Sequence, residues 1–133
     1  MSVEIHIVDG PIHSVPNAGA SAPTPSGRAG AVIVFDGIVR GEEDGRPLVA
    51  LEYEHYEPMA GDQLRVLGED VLRTHGLIAL RCEHSRGRVG VGECSMRVTV
   101  WSAHRKEGLA AMGEFIDRLK KDVPIWKRVV REE

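Results

Sequence analysis

Cationic side chains stand close together in one stretch of this chain. His104, Arg105, Lys120, Lys121, Lys127 and Arg128 all fall within SAHRKEGLAAMGEFIDRLKKDVPIWKRVV, residues 102–130. The 133-residue chain carries a formal charge of −3, so this concentration is local and does not follow from a basic composition. Cations gathered in an acidic protein suit an anion pocket, and crowded lysines suit acid–base or nucleophilic work. If Lys120 and Lys127 converge, like-charge repulsion and burial each favour the neutral amine, which can act as acid, base or nucleophile. The spacing fits equally a pair of solvated lysines at a helix C-terminus, where the dipole favours cations. His104 and Arg105 pose the reverse case. They open the same helix, where cations oppose the dipole unless an anion binds; a frayed, exposed first turn explains them as well.

The elements that must position these groups follow from periodicity. Leu109, Met112, Ile116, Leu119 and Val123 recur at spacings of three and four, which predicts a helix with one buried stripe, Ser102 as its N-cap and Pro124 as its end. Lys120 then lies about 100° round from Leu119, stacked over Ile116 and Gly113 at the margin of the buried face. Gly113 costs roughly 1 kcal/mol against alanine in a helix interior, and a close approach by another backbone would account for it. IWKRVV, residues 125–130, predicts a closing strand on which Lys127 shares a face with Ile125 and Val129.

Upstream, VEIHIV (3–8) alternates as a short strand does. AVIVFDGIV (31–39) is β-branched and almost continuously apolar, as expected of a strand covered on both faces, and Arg40 ends it. LVALEYEHY (48–56) puts Val49, Leu51, Tyr53 and His55 on one face. A helix is predicted from Pro58 to about His75, with Leu64, Leu67 and Val71 on its stripe and Gly76 as its stop. Next, LIALRCEHS turns Ile78, Leu80 and Cys82 inward, GRVGVGE (87–93) reads as a turn, and CSMRVTVW (94–101) alternates Cys94, Met96, Val98 and Val100 with a polar set. Residues 14–29, rich in Pro, Ala, Ser and Gly, read as a flexible loop inside a single domain spanning 1–133. The class is α+β: a mostly antiparallel sheet with two main helices.

Composition narrows the function. Hydrophobic residues make up 42% and charged residues 28%, ordinary for a globular protein. No apolar run approaches the roughly 20 residues that span a bilayer, and the N-terminus lacks the features of a secretory signal. A cytoplasmic protein is expected, with no membrane and no nucleic-acid partner. Cys82 and Cys94 are too few and too far apart for a zinc site or a disulfide framework, and read as buried free thiols. His6, His13, His75 and His84 show no ligand spacing, so neither a metal nor a cofactor is expected. GRVGVGE precedes a strand and not a helix, which argues against a phosphate loop. His55-Tyr56-Glu57 lacks the downstream P-C-x-x-C of a zinc deaminase.

Five segments in order, GAVIVFDGIVR, LEYEHYEPMA, GVGE before a strand, SAHR and DRLKKDVPIWKR, resemble the large, catalytic subunit of molybdopterin synthase. The likeness runs from about Gly30 to Arg128. It implies a hammerhead-like α+β fold and a sulfurtransferase that converts cyclic pyranopterin monophosphate to molybdopterin, in molybdenum cofactor biosynthesis. The sulfur donor it implies is a thiocarboxylate on the C-terminal Gly-Gly of a small ubiquitin-like partner. It implies also a homodimer flanked by two small subunits, a heterotetramer overall, with pocket residues drawn from both large subunits. By motif, Lys120 and Lys127 match the family's two active-site lysines. Arg40, His104 and Arg105 match its anion-pocket residues, and Phe35 matches an aromatic beside the site. Lys121 and Arg128 fall back to solvent-facing charge. Val129 departs from the pattern, standing where an acidic residue commonly follows the W-K-R motif, and Ile38 replaces a basic residue. The alternative is a non-catalytic module of the same fold that binds a ubiquitin-like tail or a pterin phosphate.

Overall fold

The structure, a computed structural model, describes residues 2–13 and 27–131; most of the loop expected over 14–29 lies outside them. In chain order the elements are β1 (Ser2–Asp9), β2 (Ala31–Ile38), β3 (Glu42–Glu43), β4 (Arg46–Pro47), β5 (Ala50–His55), α1 (Met59–His75), β6 (Ala79–Gly90), β7 (Cys94–Ser102), α2 (Arg105–Asp122) and β8 (Ile125–Val130). The α+β class holds, with two main helices and a sheet that is antiparallel at every pairing except β1 with β6.

β6 joins two halves of the sheet. Its residues 79–86 pair with β1 and 79–84 with β7, while 87–90 pair with β5. β7 passes on to β2 and β5 to β8, so the order is β2-β7-β6-β5-β8 with β1 beside β6. The change of partner falls at Gly87, whose φ of 88° is a conformation that a side chain would strain. β6 therefore runs on through the expected turn GRVGVGE, and only 91–93 turn. β3 and β4 form a separate hairpin, its two-residue loop Asp44-Gly45 held at φ 55° and 74°, as a tight hairpin turn requires.

Both helices pack on the sheet. Leu64, Leu67 and Val71 of α1 meet Ala111, Met112, Phe115 and Leu119 of α2 over Leu80, Cys82, Val98 and Val100, with Val3, Ile5, Ile33 and Phe35 at the margin. A second cluster gathers Val39, Leu48, Leu51 and Val89. One strand departs from expectation. β2 was expected to be covered on both faces, yet Val32, Val34 and Ile38 are exposed; β2 is an edge strand, and α2 covers only its Ile33–Phe35 side. β7 alternates as expected, and all nine of its residues are buried. It lies between β2 and β6, and its Arg97 guanidinium is spanned by the Asp36 carboxylate of β2 at 2.6 and 3.1 Å.

The stripe of α2 is also rotated from the expected one. Leu109 is 57% exposed, and the buried set is Gly108, Ala111, Met112, Phe115 and Leu119. The N-cap is His104 and not Ser102, which ends β7 and donates its hydroxyl to the His104 carbonyl at 2.6 Å. A Cβ on Gly108 would sit 2.6 Å from both Ile33 Cδ1 and Ser102 Oγ, whereas nothing approaches Gly113 within 4 Å. The close contact expected at Gly113 is thus made at Gly108: where a helix comes nearest the sheet, the smallest residues face inward and larger apolar ones are displaced round the helix.

Opposite effects are expected from one substitution at these two glycines. Gly108→Ala should lower stability by ~1–3 kcal/mol through overpacking, while Gly113→Ala should raise it by ~1 kcal/mol through helix propensity. Urea midpoints measure both, and shifts of the same sign would contradict the packing described.

Candidate functional site

The last buried residue of the α2 stripe is Leu119, and Lys120 follows it onto an exposed position. Pro124 ends the helix, and β8 returns antiparallel to β5 in a register that sets Lys127 opposite Tyr53. Arg40 comes from elsewhere. It follows Val39 at the end of β2, where Val39 donates to the Glu93 carbonyl (3.0 Å) and accepts from Gly92 (2.8 Å), tying that end to the β6–β7 turn. A register shift between Gly37 and Ile38 re-aims the strand just before it, as bulges do beside sites. These turns bring Lys120, Lys127, Arg40 and Phe35 to one cavity of about 380 Å³.

His104 and Arg105 do not reach it. Both are exposed at the start of α2, and with Lys120 fifteen residues beyond Arg105 on the same helix, a rise of 1.5 Å per residue separates them by about 22 Å. The His104 N–H donates to Glu107 Oε2 at 3.3 Å, a carboxylate that offsets the unfavourable cation at this helix end. Lys121 is exposed, and Arg128 pairs with Glu52 at 2.7 Å, both away from the cavity lining.

Several lining groups were not singled out from the sequence. Glu43, on β3, places Oε1 2.7 Å from Lys127 Nζ. The hydrogen bond from Lys127 holds the Glu43 carboxyl below the usual carboxylate range, with Arg40 and Arg131 adding coulombic pull. Lys127 is half exposed and faces an anion, its stem running beside Ile125 and Val129 with the ammonium reaching Glu43. On the inner wall, Tyr53 Oη donates to Ser95 Oγ at 3.1 Å, and Ser95 Oγ donates to the Gly37 carbonyl at 3.3 Å. His84 lies beside them, and burial pushes its pKa down to about 4, leaving it neutral at pH 7. Alternation pointed to it, since His84 is two residues beyond inward-facing Cys82. Cys82 and Cys94 are both free and buried. Burial pushes the Cys82 thiol up to about 12, which removes it as a nucleophile at neutral pH.

Fold and cavity together define an α+β protein with three cations from separate segments around one pocket. The family model described as "MoaE protein" matches residues 13–122, and the chain belongs to that family. It is 41% identical over 100 residues to the molybdopterin synthase catalytic subunit of Nostoc sp., covering 74% of this chain and 61% of that protein. It is 38% identical over 104 residues to the molybdopterin synthase catalytic subunit of Homo sapiens, covering 78% of this chain and 55% of that one. The chain thus spans little more than half the length of these two relatives. The crystal structure of molybdopterin synthase from Staphylococcus aureus superposes with a TM-score of 0.83 at 33% identity, covering 96% of this chain and 91% of that one. Among the described residues, no helix is long and apolar enough to cross a membrane.

The Glu43–Lys127 pair has a defined pH signature. A carboxyl with a lowered folded-state pKa contributes stability above its unfolded pKa and loses it as pH falls through the folded value. In a ¹³C titration, Glu43 should therefore protonate at lower pH than glutamates without a cation beside them. Lys127→Ala should return its midpoint toward theirs; an unmoved midpoint would show that the pair does not form in solution.

Proposed function

We propose that this chain is the catalytic subunit of a sulfurtransferase that builds molybdopterin from cyclic pyranopterin monophosphate. Its sulfur donor is the C-terminal thiocarboxylate of a small ubiquitin-like partner. One observation carries the reading: Lys120 and Lys127, from a helix end and the strand after it, converge in an acidic chain with the sequence-distant Arg40 on one cavity. Both reactants are anions, a cyclic phosphate and an acyl thiocarboxylate, and a preorganised set of cations stabilises charge that develops between them. Sulfur transfer makes a carbon–sulfur bond to the pterin in place of a carbon–oxygen bond and breaks the acyl–sulfur bond. The oxygen of a water takes sulfur's place on the acyl carbon to leave a carboxylate, so protons must be supplied and withdrawn. Lys120, which no carboxylate pairs among the described residues, serves as proton donor and acceptor. Lys127 and Arg40 hold the anions, and Phe35 packs the wall beside them. The chain works as one domain in the cytoplasm, where its two thiols stay reduced, and it uses no metal or cofactor of its own.

His104 and Arg105 join this site from a second copy. They lie too far along α2 to serve their own cavity, and the exposed row Val32, Val34 and Ile38 on β2 gives that copy an apolar edge to cover. The working assembly is a homodimer with two small subunits, a heterotetramer.

The test combines this protein with a thiocarboxylated ubiquitin-like subunit and cyclic pyranopterin monophosphate, and assays molybdopterin. Wild type should form product, and Lys120→Ala should lose at least 100-fold in rate, in the range of a general acid–base contribution. No product from wild type, with the tail still bound, would leave the non-catalytic module. Mixing inactive Lys120→Ala with inactive Arg105→Ala should restore activity, because one site of the mixed dimer regains both residues. Absence of rescue would place Arg105 outside the shared site.

A further inference from the structure

Among the groups lining the cavity, His84 is the least expected. It is only 5% exposed, and a buried polar side chain is retained at a cost unless its hydrogen-bonding groups are used. One of its nitrogens is used: Nδ1 lies 2.9 Å from the Ser85 carbonyl. A carbonyl can only accept, so the proton is on Nδ1 and Nε2 carries the lone pair. The ring is fixed further by edge-to-face contacts with Tyr53 (5.3 Å) and His55 (5.0 Å).

His55 makes the contrast. Its Nε2 shares the same Ser85 carbonyl at 2.8 Å, and its Nδ1 is sealed in the interior without a partner. His84 Nε2 is not among the sealed atoms, has no hydrogen-bond partner among the described residues, and belongs to a residue that lines the cavity. It is an open acceptor on a ring that cannot turn without losing Ser85. Protonation does not block it, since burial keeps the ring neutral at pH 7.

We propose that His84 Nε2 is a substrate-contacting acceptor that takes a hydrogen bond from an N–H group of the molecule occupying the cavity. The wall then asks two things of its occupant: negative charge toward Lys120, Lys127 and Arg40, and an N–H donor toward His84. Two sources offer that pairing, the backbone amide of a peptide tail ending in an acyl anion and a ring N–H of a cyclic-phosphate heterocycle. The assignment rests on the proposed function for the choice between these ligands, and not for the tautomer.

The experiment uses whole protein labelled with ¹⁵N-histidine. Before any ligand is added, His84 should show a protonated Nδ1 and an unprotonated Nε2; a proton on Nε2 overturns the proposal whatever binds. A synthetic peptide ending in Gly-Gly and cyclic pyranopterin monophosphate are then added in separate arms. One of them should shift His84 Nε2 while His55 Nδ1 stays in place, and the arm that does so identifies the donor. A silent His84 in both arms overturns the proposal. In the molybdopterin assay, His84→Phe keeps the ring shape and should raise KM about tenfold, the loss of one hydrogen bond, with kcat little changed. His84→Gln, which restores an acceptor, should recover most of the loss. Wild-type product with an unchanged KM in His84→Phe refutes the role of His84 alone, whereas absence of wild-type product refutes the sulfurtransferase reading. Should His84→Phe fail to fold, the wild-type spectra still decide.

Discussion

The change of partner along β6 is the constraint on which the rest of this structure depends. One strand serves β7 as far as residue 84, β1 as far as residue 86 and β5 from Gly87 onward, so two half-sheets share a single backbone. The cavity draws on both halves: Phe35, Ser95 and Met96 belong to the β2–β7 side, and Leu51, Tyr53 and Lys127 to the β5–β8 side. A sheet that kept one set of partners along β6 would hold Lys127 and Phe35 in separate surfaces. The positive φ of Gly87 is where the chain makes the two meet, and glycine is the residue that adopts it without strain.

Charge is arranged around this seam with the same economy. The chain is acidic overall, yet one carboxylate of the cavity wall and two on strands around it are committed. Glu43 holds Lys127, Asp36 is bound to Arg97 on the neighbouring strand, and Glu52 is drawn off by Arg128. Among the described residues, Lys120 and Arg40 line the cavity without a carboxylate hydrogen-bonded to them. Glu43 occupies a special place because its hairpin is a separate two-stranded piece, and an anion entering the cavity competes with it for Lys127. Surface pairs of this kind are weak, ~0–1 kcal/mol, so an incoming anion can displace Glu43 at small cost.

The elements were largely legible because each carries a local signal. α1 runs from Met59 to His75 and stops at Gly76, and β8 covers IWKRVV, both as periodicity implies. What failed most was the environment of a residue, although the expected turn GRVGVGE mostly extends β6. Leu109 has the right size and spacing for the stripe, but Gly108 takes the inward position because α2 lies against Ile33 and Ser102, a closeness no local pattern contains. β2 reads as doubly covered because it is apolar on both faces; only the topology shows that it is an edge strand with Val32 and Val34 bare. The site was legible in a similar measure. Lys120, Lys127, Arg40 and Phe35 converge, while Glu43 owes its place to a partner 84 residues away in sequence, which spacing does not reveal; alternation puts His84 on the Cys82 face but does not show its bond to the Ser85 carbonyl.

His104 and Arg105 show how sequence proximity misleads and then informs. They share a helix with Lys120, so a reading along the chain groups them with it; the length of that helix is what keeps them apart. A rigid rod of about 22 Å cannot bring both its ends to one pocket. Two such rods, related by a two-fold axis, can place the start of each beside the end of the other, because a symmetric interface sets unlike parts of the two copies against each other in pairs. In the proposed dimer the apolar row on β2 would supply a surface for that axis, and α2 packs directly on the opposite face of the same strand. The contact that completes the site is then also the contact that covers the exposed valines, so assembly and activity would be set by one interface.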